Sequence, residues 1–89
     1  MRENMGHYVY ILKSLIADKH YIGRTSNPDR RLQFENTIEK GFTARYRPWK
    51  RVWLRKCEST EEAIRLEKKI KSWKSKKMIN RLINGEIKI

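Results

Sequence analysis

The chain has 89 residues, with 22 Lys and Arg against 10 Asp and Glu, a formal net charge of +12. That length holds one domain, expected to span 1–89, with a thin core, because a chain this short buries only roughly 60–65% of the surface its unfolded form exposes. Three Trp and four Tyr make each buried side chain large and argue against a disordered polyelectrolyte. The longest apolar run, 8–12, is far short of the ~20 residues a membrane helix needs. Residues 1–4 lead into no apolar signal region. Cys57 is alone, so no internal disulfide forms and no Cys/His cluster offers a zinc site. A cytoplasmic protein with a polyanionic partner, nucleic acid, is the expectation.

In chain order, residues 7–13 are rich in β-branched and aromatic types and read as a strand, and 20–25 read as a second. The short connector 14–19 makes them an antiparallel hairpin. Asn27 caps a helix, Pro28 suits its first position and Asp29 favours the positive end of its dipole. That helix is predicted to run to about Lys40, with Gly41 as its stop. Residues 42–48 form a basic loop, and 49–57 alternate as a third strand. Ser59 with Glu62 three residues on is a capping box. It opens a helix to about Lys74, followed by a last short helix, 76–84, ending at Gly85. The order β-β-α-β-α-α predicts an α/β (α+β) domain, a small three-stranded antiparallel sheet flanked by helices.

The charge is uneven. Stretches 40–57 and 68–85 each hold seven basic residues and no acid. Phe42, Tyr46, Trp49 and Trp53 interleave with the first stretch, where basic side chains can contact phosphate and rings can stack on bases. For Trp49 and Trp53 a place in the core of the sheet face is the preferred reading. Arg45, Arg47, Lys50, Lys74, Lys76 and Lys77 are the expected nucleic-acid contacts.

Three features go beyond charge. On the helix after Ser59, Ala63, Leu66, Ile70 and Trp73 form an apolar stripe, and Glu67 falls inside it. A carboxylate there is costly without a partner or a task. On the helix after Asn27, Leu32, Phe34 and Ile38 mark the apolar face, with Arg31 near its middle. Arg31 and Glu67 make either a structural ion pair or an active site. Tyr8 and Tyr10 share one face of the first strand, and Tyr21 and Gly23 share one face of the second. Gly23 marks a close approach by backbone or ligand.

Tyr8-Val9-Tyr10, then Tyr21-Ile22-Gly23-Arg24-Thr25, then Asn27-Pro28-Asp29-Arg30-Arg31 resemble the opening of a GIY-YIG nuclease domain. The segment 45–50 and the helix around Glu67 are similar to the small single-domain branch of that family, like the N-terminal domain of the excision-repair incision subunit. The resemblance covers about 7–80. It implies a metal-dependent DNA endonuclease, structure-selective or weakly sequence-specific, of the kind used in DNA repair or recombination. It places the catalytic set on Tyr10, Tyr21, Arg24, Arg31 and Glu67, with Glu67 binding Mg²⁺ (or Mn²⁺). Asn80 corresponds loosely to a late Asn of some members. Two positions depart from the pattern: Tyr8 stands where the first motif usually has Gly, and Glu35 stands where many members have His. His7 and His20 are the available substitutes for that His.

Phosphodiester hydrolysis needs an activated water and charge relief on the phosphoryl oxygens. Arg31 suits a non-bridging oxygen, and Tyr10 suits the water as general base, with Tyr21 as its orienter; the reverse assignment of the two tyrosines stays open. Two other classes compete. One is a nucleic-acid-binding module without strong catalysis, which the missing His favours. The other is a small RNA-associated protein whose aromatics are all core.

Overall fold

The computed structural model describes residues 6–38 and 40–89. Strands β1 (His7–Ser14) and β2 (His20–Thr25) form the hairpin, followed by α1 (Pro28–Thr37), the short α2 (Phe42–Arg45), β3 (Trp49–Cys57), α3 (Thr60–Trp73) and α4 (Lys76–Ile83). The sheet is antiparallel with order β2-β1-β3. It is the α+β architecture the sequence predicts. Among the described residues no helix is long and apolar enough to cross a membrane.

The central strand explains the layering. In β1, Val9 and Ile11 point to one face and Tyr10 and Leu12 to the other, and all four are buried. Helices α3 and α4 cover the first face with Ala63, Ile70, Ile79 and Leu82. The second face is covered more thinly, by Trp49 with Tyr21, Leu32 and Tyr46. Burying Ile11, Leu12 or Ile70 fully contributes about 1.5–3 kcal/mol each. The thick layer therefore carries most of the apolar burial, while the second face is sealed largely by aromatic rings.

The starts of α1 and α3 follow local chemistry. Asn27 Oδ1 accepts the Arg30 amide at 3.1 Å, and Ser59 Oγ accepts the Glu62 amide at 3.1 Å. The Glu62 carboxylate accepts the Glu58 amide at 2.7 Å, so the capping box closes one residue further out than expected.

Three expectations are corrected. Helix α1 ends at Thr37, short of Lys40, and Gly41, at φ +84°, caps α2 instead of stopping α1. The stretch read as a loop thus contains one helical turn. The buried residue of α1 is Glu35, while Ile38 is 63% exposed, so the face defined by Leu32, Phe34 and Ile38 is not the inner one. Trp49 is core as expected, but Trp53 packs half-buried against the other layer. A register shift opposite Ile11 and Leu12 pairs Ile11 with Trp53 and Leu12 with Arg51, and this extra residue in β3 reverses the facing.

Candidate active site

Tyr10 sits at the centre of the thin layer, and its partner across the hairpin is Gly23. A Cβ built on Gly23 would lie 2.5 Å from the Tyr10 hydroxyl oxygen and 2.7 Å from Cζ. Only glycine lets the phenol lie over β2, which is the close approach the sequence suggested. Tyr21, two residues earlier on the same face, brings its ring to 6.3 Å from that of Tyr10.

Helix α1 delivers the cation. Its position is fixed from β3, where the Trp49 amide donates to Asn36 Oδ1 at 2.7 Å and Asn36 Nδ2 donates to the Trp49 carbonyl at 3.1 Å. Arg31 Nε then donates to the Tyr10 hydroxyl at 3.3 Å and lies 2.9 Å from Glu35 Oε2. Glu35 is wholly buried (0% exposed), and neither carboxylate oxygen makes an aligned hydrogen bond. The short approach to Arg31 is therefore an ion pair by distance alone. The Arg31 side chain is 36% exposed. It lines a groove of about 340 Å³ with Thr25, Asn27, Arg30 and Phe34. Arg31 thus reaches inward through Nε while part of its side chain borders the groove. A larger hollow of about 720 Å³ lies beside it, between Tyr8, Pro28 and Lys56, but none of the expected catalytic side chains lines it.

The electrostatics follow from this packing. Burial pushes the Tyr10 hydroxyl up to about 12; the Arg31 hydrogen bond opposes the shift, and nearby Tyr21 and Glu35 reinforce it. Burial works against the Arg31 charge, but the Tyr10 hydroxyl, then Glu35 and Tyr21, outweigh it and hold the guanidinium more firmly protonated than usual.

A second group forms across the edge strand. Arg24 follows Gly23, so its side chain leaves by the opposite face and meets α3. Its Nε lies 2.8 Å from Glu67 Oε1, and Lys71 Nζ lies 2.8 Å from Glu67 Oε2. The Glu67 side chain is 16% exposed. Arg31 and Glu67 are thus not each other's partners: Arg31 pairs within its own helix, and Glu67 pairs with Arg24 and Lys71. The five expected residues fall into two sets, Tyr10-Tyr21-Arg31 and Arg24-Glu67, that adjoin through the backbone of Gly23 and Arg24.

The donor chemistry at Glu67 fits a hard divalent cation. Mg²⁺ is commonly held by one or two carboxylates, with water and substrate phosphate completing its shell. Among the described residues no cluster of three His, Cys, Asp or Glu forms a fuller cage. Lys71 is the more exposed partner and the one best able to yield its carboxylate oxygen.

The remaining expected positions are distributed. Arg45 is exposed on α2 and Lys50, paired with Lys13, is exposed on the sheet face opposite Trp49, whereas Arg47 is half-buried and donates its Nε to the Glu35 carbonyl at 2.7 Å, tying the segment before β3 to α1. Lys74 takes the left-handed conformation (φ 49°) that separates α3 from α4. Lys76 pairs with Asp18 at 2.9 Å, and Lys77 and Asn80 are exposed on α4. His7 and His20 pair with Cys57 and Lys13, positions that face away from Tyr10, so neither supplies the missing His. The sequence reading named Glu35 only as a departure from the family pattern. Its signal was the spacing of four residues from Arg31, which puts the two side chains on neighbouring turns.

In overall structure the chain resembles the solution NMR structure of the UPF0213 protein BH0048 from Bacillus halodurans. The identity is 29%, the TM-score 0.57, and the match covers 90% of this chain and 84% of that one. No curated protein matches the chain. The family model of the GIY-YIG catalytic domain matches residues 6–80, from just before β1 into α4, and includes every one of the tyrosine, arginine and glutamate positions described above. The chain belongs to the GIY-YIG family.

Proposed function

We propose that this domain is a DNA endonuclease that hydrolyses phosphodiester bonds with the help of one divalent metal, Mg²⁺ or Mn²⁺. The observation that supports it most is the packing of Tyr10 over Gly23 with Arg31 donating to its hydroxyl, in a chain whose family is a nuclease family. The net charge of +12 suits a DNA substrate.

In this reading the outer nitrogens of Arg31 bind a non-bridging phosphate oxygen, since the Nε edge is already committed to Tyr10 and Glu35. Glu35 keeps Arg31 aligned and offsets its charge. Tyr10 orients the attacking water and takes its proton. A hydroxyl pushed up to about 12 is phenolate in only about one molecule in 10⁵ at pH 7, so the step speeds up as pH rises. Tyr21 positions the water from the neighbouring strand. Glu67 would hold the metal, which supplies Lewis-acid stabilisation of charge at the phosphate when bound. Arg24 holds the Glu67 carboxylate in place through its 2.8 Å contact. Arg45, Lys50 and Lys77 follow the DNA backbone, and Lys76 joins them by exchanging Asp18 for phosphate.

Supercoiled plasmid incubated with the purified domain tests this. Nicking with Mg²⁺ and none with chelator is the expected result. Tight binding to DNA without nicking under either condition would instead establish the binding-module reading, which the replacement of His by Glu35 favours.

A further inference from the structure

Phe42 opens α2 and is 46% exposed. A single exposed apolar residue is ordinary on any surface. Phe42 differs in what lies beneath it: its ring is 5.1 Å from Tyr46, 5.9 Å from Trp49 and 6.4 Å from Tyr21, centroid to centroid. It is the outermost ring of a four-ring cluster held rigidly from below. The Trp49 indole N–H, for example, donates to the Thr43 carbonyl at 2.7 Å. Among the described residues the other exposed large apolar side chains, Leu15, Ile16, Ile38 and Leu54, are aliphatic and present no flat π-face.

The surroundings are cationic. Lys19 Nζ lies 5.6 Å from the Tyr46 ring centre, and Arg45 is exposed three residues after Phe42 on the same short helix. A flat hydrophobic ring with cations at its border is complementary to a nucleotide whose base is free to stack and whose phosphates carry the charge. A base in intact duplex is not available to such a ring, because its faces are occupied by its neighbours. The contact between Phe42 and Tyr21 places that ring directly against the tyrosine pair.

We infer that Phe42 is a stacking platform for one unpaired base, so that the domain selects DNA with a single-stranded or displaced nucleotide over uniform duplex. This rests on the nuclease reading above and specifies its substrate class. The test is binding in chelator, where no cleavage occurs. Fluorescence anisotropy is measured on a labelled oligo-dT 20-mer and on a fully paired blunt-ended 20-bp duplex, for the wild type, Phe42→Leu and Phe42→Trp, each checked by thermal melting. Loss of one base–aromatic stack lowers affinity by about 5- to 150-fold. The expected result is that Phe42→Leu weakens oligo-dT binding in that range and leaves duplex binding within about twofold, while Phe42→Trp retains both. Equal weakening on both ligands, or none on either, overturns the inference. Plasmid nicking by the wild type is read separately. Cleavage without a Phe42 effect removes the platform and keeps the nuclease; a Phe42 effect without cleavage does the reverse.

Discussion

Gly23→Ala is the perturbation whose consequence can be worked most directly from the structure. The added methyl would stand 2.5 Å from the Tyr10 hydroxyl oxygen, 2.7 Å from Cζ and 3.2 Å from Cε2. Ordinary contacts of this kind begin at about 3.5 Å, so the phenol must retreat by about 1 Å. It has little room, being 2% exposed and clustered with Leu12 and Trp49. A retreat of that size also breaks the 3.3 Å hydrogen bond from Arg31. Overpacking of this kind costs about 1–3 kcal/mol, and each kcal/mol lowers the melting temperature of a domain this size by about 4–8 °C. Misplacing a reacting group by about 1 Å costs about 10²-fold in rate. Melting followed by circular dichroism and plasmid nicking with Mg²⁺ measure the two effects. Combining Gly23→Ala with Tyr10→Phe removes the 2.5 Å contact and should recover part of the stability and none of the activity. A Gly23→Ala domain with unchanged melting temperature and nicking rate would refute the placement of Tyr10 over β2.

The raised Tyr10 hydroxyl also gives a pH signature. Its value in the folded state, about 12, exceeds the unfolded value of about 10, so its contribution to stability is complete below pH ~10 and is lost as pH rises towards 12. That contribution is roughly 2–3 kcal/mol, and Tyr10→Phe should show a correspondingly smaller fall in melting temperature across the window; identical pH profiles would contradict it. In the same variant series, wild-type nicking should rise about tenfold per pH unit above neutrality if Tyr10 takes the proton, and a flat profile would remove that role. Glu35→Gln should change stability less than Glu35→Ala, because it keeps the volume and lifts the cost of a buried charge, yet lower cleavage about 10- to 100-fold by loosening Arg31; unaltered cleavage would show that Glu35 only fills space. DNA affinity should fall with salt at a log–log slope of about −0.9 per neutralised phosphate, and a flat response would sink the role given to the basic stretches.

The hairpin, the third strand and the starts of α1 and α3 were legible because their signals are local. Asn27-Pro28 and Ser59 act within one turn of themselves, and β1 declares itself by its aromatic and β-branched residues. The end of α1 was less legible, since Gly41 serves equally well to stop one helix or begin the next. The facing of Trp53 was hidden because a one-residue register shift leaves no mark in alternation read along a single strand. Within the candidate site, Tyr10, Tyr21 and Gly23 were readable from the pairing across the hairpin. The partners of the charged residues were not. Arg24 and Glu67 are 43 residues apart in sequence and meet only because β2 is an edge strand that α3 overhangs. The burial of Glu35 was not legible because a helical wheel ranks faces by hydrophobicity, and here the innermost side chain of the helix is a carboxylate.

The central claim is that a tyrosine–arginine face and a glutamate across β2 act together on a phosphodiester. Its most direct test compares the wild type, Tyr10→Phe and Glu67→Ala for nicking of supercoiled plasmid with Mg²⁺ and for DNA binding in chelator. The account predicts that both variants lose cleavage by about 10²-fold or more while their affinity for DNA stays within a few-fold of the wild type. Cleavage that survives in Glu67→Ala, or that never depended on Mg²⁺, would contradict it.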